Sequence, residues 1–113
     1  MRTYSGSRIS DGGPQPVMVS GEFLSPLKDG QFLSPLRSQV LYNHSPDGFQ
    51  WGYGGSGPAQ LALALLLDCS TEELAMRHHQ AFKVEFVANW GDEWQITSTE
   101  IRAWLVRKET EPK

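Results

Sequence analysis

The residues best placed to do chemistry stand six in a row, Gly52-Tyr53-Gly54-Gly55-Ser56-Gly57. They fit G-x-G-x-x-G letter for letter, after an expected strand and before an expected helix, the setting of a dinucleotide fingerprint. Glycines let backbone N–H groups approach a phosphate, and a helix start carries partial positive charge. Trp51 and Tyr53 beside them could stack on a flat ligand, and His44 stands just upstream. The ligand-binding candidates are therefore Trp51, Tyr53, Gly54, Gly55, Ser56, Gly57 and His44. Three features oppose a nucleotide. A second helix follows the first where a parallel strand with an acidic end should stand. Pro58-Ala59 replaces the Lys-Ser/Thr of a phosphate loop. No Lys or Arg occurs between Ser38 and Met76. The alternative is that the glycines let a buried helix begin hard against a strand.

Other chemical sets are weaker. Gly54-Gly55-Ser56-Gly57-Pro58 approaches G-x-S-x-G, but Pro58 stands for the last glycine and 113 residues are too few for that hydrolase fold. Ser56 reads instead as a helix cap. His44, His78, His79 and Cys69 match no metal-ligand spacing, and adjacent His78 and His79 point ~100° apart on a helix. His79 reads as a core histidine, and His44 as a residue that fastens a turn. Cys69, the one cysteine, reads as a small buried hydrophobe. No catalytic set, metal or cofactor is expected.

The elements that must position these residues are read from periodicity. Residues 3–9 and 16–19 read as a hairpin around Asp11-Gly12-Gly13. Residues 39–53 read as a second hairpin. Val40 and Tyr42 share a face of its first strand, Phe49, Trp51 and Tyr53 a face of its second, and Ser45-Pro46-Asp47-Gly48 supplies its turn. Residues 58–69 form a helix whose 61–67 stretch is apolar on every face, so it must be buried all round. A second helix spans 71–89, with Ser70 and Glu73 as a capping box and Ala75, His79, Phe82 and Phe86 on its apolar stripe. Trp94-Gln95-Ile96 is a short strand or an extended loop. A capping box at Thr97 and Glu100 opens a third helix over 98–108, with Ile101, Trp104 and Leu105 inward. The fold class is α+β, a small antiparallel sheet from two hairpins packed against three helices. It is one domain over residues 1–113, with a frayed tail over 109–113.

Between the hairpins lies a duplication, GEFLSPLKD followed by GQFLSPLRS. Two copies are too few for a solenoid, so 20–38 reads as a duplicated loop. Its Phe23, Leu24, Phe32 and Leu33 are partner-binding candidates if they are exposed. The net charge of −3 argues against nucleic acid, which rewards a basic surplus. The longest apolar run is too short for a membrane helix. The start lacks the apolar stretch of a signal peptide, so the expected place is the cytoplasm.

NHSPDGF at 43–49, with WGYGGSGPAQLALALLLD behind it, resembles the domain-of-unknown-function family 6166. The likeness extends to Tyr4-Ser5-Gly6, to Gln80-Ala81-Phe82-Lys83, and to Trp94-Gln95-Ile96-Thr97 with Glu100-Ile101 and Trp104-Leu105. The duplicated nonapeptide departs from it, since relatives need one copy. The resemblance implies no activity, cofactor or site residue. It implies a setting, short proteins of phages, plasmids and prokaryotic genomes. In that setting a non-enzymatic protein that binds a host protein is expected, for example an anti-CRISPR-like inhibitor of host defence. A nucleotide-signal sponge using the glycine-rich turn is the alternative.

Overall fold

The computed structural model describes residues 1–9, 12–21 and 31–111. Strand β1 (Arg2–Ser7) pairs antiparallel with β2 (Val17–Gly21), Tyr4 opposite Val19. The first expected hairpin is therefore present. On the other side of β1 lies β4 (Glu93–Thr97), with Ile96 opposite Tyr4. Two residues, β3 (Gln31–Phe32), extend β2, so the sheet runs β3-β2-β1-β4 with every pair antiparallel. Of the two alternatives for Trp94-Gln95-Ile96, the short strand is the one present.

Alternation sorts the sheet into two faces. Tyr4, Val17, Val19, Trp94 and Ile96 point into the core, while Ser5 and Gln95 face outward. Gly6 lies opposite Trp94, whose indole crosses it. A Cβ at Gly6 would stand 2.4 Å from Trp94 Nε1 and 2.8 Å from the Trp51 ring. The glycine is there for close approach, because the neighbouring strand's aromatic occupies the space a side chain would take.

Helix α2 (Ser56–Cys69) is the centre of the molecule. Every residue from Leu61 to Leu67 is buried, as an all-round apolar helix must be. Helix α3 (Glu72–Glu85) packs against it through Ala75, His79 and Phe82. A 3₁₀ turn (Val87–Asn89) continues the chain towards β4. Helix α4 (Ser98–Thr110) follows β4 without a break. Thr97 caps it by accepting from Glu100 N, and Glu100 reaches back to Thr97 N, the box expected there. Ile101, Trp104 and Leu105 are buried as their spacing requires.

Four local expectations need correction. The expected second hairpin is replaced: residues 36–41 are helix α1 (Leu36–Leu41), and 49–53 pair with no strand among the described residues. Pro35 begins that helix in the α region, and the Ser38 hydroxyl bonds back to its carbonyl. The Pro46-Asp47 turn exists, and Phe49 and Trp51 are both buried, but Tyr53, expected on the same face, is half exposed. Their backbone instead bonds irregular neighbours, with Gln15 N donating to Phe49 O and Gly52 N to Val87 O. Second, 20–38 is not all loop. Residues 22–30, with Phe23 and Leu24, lie outside the described residues, but the second nonapeptide supplies β3 and opens α1. Third, the α3 cap is Thr71, which accepts from Leu74 N, while Glu73 pairs with Arg77. The α2 cap is Gly55, so Ser56 is the first helical residue and not the cap. Fourth, residues 109 and 110 belong to α4, and Glu109 is tied to Arg77 and His78.

Candidate functional site

Burial decides the glycine-rich turn first. Trp51 is fully buried and its indole N–H donates to Gly91 O at 2.8 Å, so it presents no face to a ligand. Tyr53, by contrast, is half exposed. Gly52 takes a positive φ of 88°, which favours glycine. A Cβ on Gly57 would meet Gln50 Cβ at 2.5 Å, so the helix does begin hard against the extended 49–51 segment. Gly54 has nothing within 4 Å of its would-be Cβ and no such demand. A cavity of about 210 Å³ adjoins the turn, bordered by Tyr53, Ser56, Gly57, Ser45 and Asp47. Among the described residues lining it the charged one is Asp47, which repels a phosphate.

His44 sits elsewhere. Its Nε2 lies 2.9 Å from Nε2 of His79, and its ring stacks on Tyr42 with centroids 4.3 Å apart. His79 Nδ1 faces the Ala75 and Met76 carbonyls at 3.0 and 3.1 Å. Carbonyls only accept, so His79 carries its proton on Nδ1 and offers a lone pair at Nε2, to which His44 Nε2–H donates. Burial lowers both imidazoles from their usual range, and for His44 the neighbouring His79 and Lys83 add to it. His79 is thus a satisfied core histidine, and His44 fastens its loop to α3. No group of three or more His, Cys, Asp or Glu among the described residues could hold a metal ion. Cys69 is buried, and burial pushes its thiol up to about 11, too high for a nucleophile at neutral pH. The Ser56 hydroxyl has no hydrogen-bond partner among the described residues.

The segment between β3 and the turn differs in character. Four large apolar side chains in it face solvent: Phe32 is 70% exposed, Leu36 68%, Val40 89% and Tyr42 51%. Leu36 and Val40 are four apart on α1 and so are neighbours on one side of it. Leu33, the remaining described partner candidate, turns inward and packs against the core.

One buried residue holds this segment in place. Gln60 of α2 is fully buried, and its Oε1 accepts from His44 N at 2.7 Å and Ser45 N at 2.9 Å. Its Nε2 donates to Ser38 Oγ at 3.0 Å and Tyr42 O at 3.1 Å. All its hydrogen-bonding capacity goes to one stretch of backbone and one hydroxyl. Gln39 Nε2 adds a bond to Ser45 O at 2.8 Å. The Ser38–Ser45 end of the apolar stretch is therefore tied to α2. Sequence reasoning missed Gln60 and the outward sense of Leu36 and Val40. A polar residue directly before the wholly apolar run of α2, and the i, i+4 spacing after Pro35, were the available signals.

Beside the ridge is a cleft of about 230 Å³ bounded by Phe32, Ser34, Arg37, Leu67, Asp68 and Arg2, among others. Asp68 accepts from Arg2 Nη1 at 2.8 Å and from the Tyr4 hydroxyl at 2.6 Å. Burial and this bond together raise the Tyr4 phenol well above its usual range.

The model of a family of unknown function (DUF6166) matches residues 4–107. Comparisons with curated proteins and with solved structures found no match. No helix among the described residues is long and apolar enough to cross a membrane.

Proposed function

The chain belongs to the family of unknown function DUF6166, and we propose that it is a binding protein, acting without turnover, whose protein partner docks on the surface from Phe32 to Tyr42. The observation that carries this reading is the exposure of Phe32, Leu36, Val40 and Tyr42 within one stretch whose Ser38–Ser45 end is tied to α2. Water disfavours exposed apolar side chains such as these, and exposed apolar patches mark interaction sites. Gln60 adds preorganisation, which reduces the ordering cost of association. The chemistry of the other candidates supports binding over turnover. The Cys69 thiol is buried and its pKa raised, the Ser56 hydroxyl has no hydrogen-bonded base among the described residues, and the imidazoles of His44 and His79 face each other. In the setting that the family resemblance implies, the partner is a host protein met in the cytoplasm. The finer reading is that the chain inhibits it as part of a contest with host defence.

A benzophenone side chain placed at position 40, and separately at Arg107 on α4, tests this in bacterial cells. One discrete cross-linked protein is expected from position 40 and not from position 107. The reading fails if position 40 yields no discrete product, or if both positions yield the same one.

A further inference from the structure

We infer that the partner brings an acidic side chain, flanked by apolar ones, into the arginine-lined cleft beside the ridge. This deepens the reading above and rests on it. Phe32 borders both the ridge and the cleft, and Arg37 follows Leu36 directly on α1, so an occupant of one surface reaches the other. Among the described residues that line the cleft, the cationic ones are Arg2 and Arg37 and the acidic one is Asp68. Asp68 is already engaged by Arg2 and the Tyr4 hydroxyl. Arg37 is exposed and has no ion pair among the described residues. In a chain of net charge −3 this cationic surplus is local.

Docking turns that surplus into a demand. A partner covering Leu36 and Val40 removes water from the adjacent Arg37, and a desolvated charge without a counter-charge opposes association. A carboxylate meets the guanidinium in a bidentate pair and removes the opposition. Size favours a side chain over a separate small molecule, since the cleft of about 230 Å³ falls below the ~300–1,000 Å³ of ordinary ligand pockets. The apolar ridge favours a protein over a nucleic acid, whose phosphates need several cations.

The test is selection of random twelve-residue peptides displayed on ribosomes, with the full chain as bait. Selected peptides are expected to share an Asp or Glu flanked by apolar residues, and to lose binding to a Val40→Asp bait. Arg37 is exposed and has no ion pair among the described residues, so Arg37→Glu should fold normally by circular dichroism. It should weaken the selected peptide at least tenfold, and a peptide with Lys in place of its acid should recover affinity for that variant. Peptides that need Val40 yet show no acidic preference and ignore Arg37→Glu would overturn the inference while leaving the ridge as the docking surface. Peptides indifferent to Val40→Asp, or no selected peptides at all, would count against both. A single-stranded 20-nucleotide DNA that binds the chain and is released by Arg37→Glu would overturn the inference in favour of phosphate.

Discussion

Gln60 shows how one side chain can take the place of a strand. The 38–45 segment has backbone groups to satisfy, and a buried unpaired group costs roughly 1–3 kcal/mol. The amide of Gln60 meets them from inside the core. Replacing it by Leu keeps the bulk and removes the bonds. Gln60→Leu should lower unfolding free energy by about 2 kcal/mol or more in urea titration, because several groups lose their partner together. A loss near zero would mean that water replaces the clamp. The paired imidazoles give a second prediction at this scale. Both are held below the ordinary histidine value of 6.5, chiefly by burial. Below that pH the unfolded chain binds protons that the folded chain refuses, so stability is full above about 6.5 and declines as pH falls through the folded-state values. The urea midpoint of His79→Gln should therefore fall less between pH 7.5 and pH 5.0 than that of the wild type. Equal falls would remove the pair from the acid response. Neither feature was legible in the sequence as such. His79 on an apolar stripe pointed to the core, but its partner His44 is 35 positions away and tertiary packing alone joins them.

At the scale of elements, the glycines divide into those that packing requires and those it does not. Gly57 presses on Gln50, and Gly6 lies under Trp94. Gly57→Ala and Gly6→Ala each force overpacking and should cost about 1–3 kcal/mol in unfolding experiments. Gly54→Ala has open space and should change stability by less than ~0.5 kcal/mol, as surface substitutions usually do. Equal effects at positions 54 and 57 would contradict the packing account. The helices were legible because their signals are local. An all-round apolar run, a capping box at Thr97 and Glu100, and the stripe of α3 each repeat within a few residues. Residues 39–53 misled because Val40 and Tyr42 alternate as a strand does, while the choice between helix and strand there was made by Pro35 and by Gln60, one of them distant in sequence. Phe49 and Trp51 kept the alternation but not the partner strand, so period two reported burial and not pairing.

At the scale of the whole molecule, the core and the proposed docking surface lie on separate parts of the chain. One apolar helix takes the centre, the sheet and α3 and α4 surround it, and the segment from Phe32 to Tyr42 carries large apolar side chains outward. An acidic chain with an apolar ridge and a local pair of arginines is suited to a protein partner of complementary charge. The comparison that tests this most directly uses the partner cross-linked from position 40, purified, with capture measured against wild type, Val40→Asp and Gly54→Ala. Val40 is exposed and Gly54 is unconstrained, so both variants should match the wild type in unfolding midpoint. The account predicts that Val40→Asp loses capture at least tenfold and that Gly54→Ala keeps it. Full capture by Val40→Asp together with loss in Gly54→Ala would contradict it, and would move the site to the glycine-rich turn.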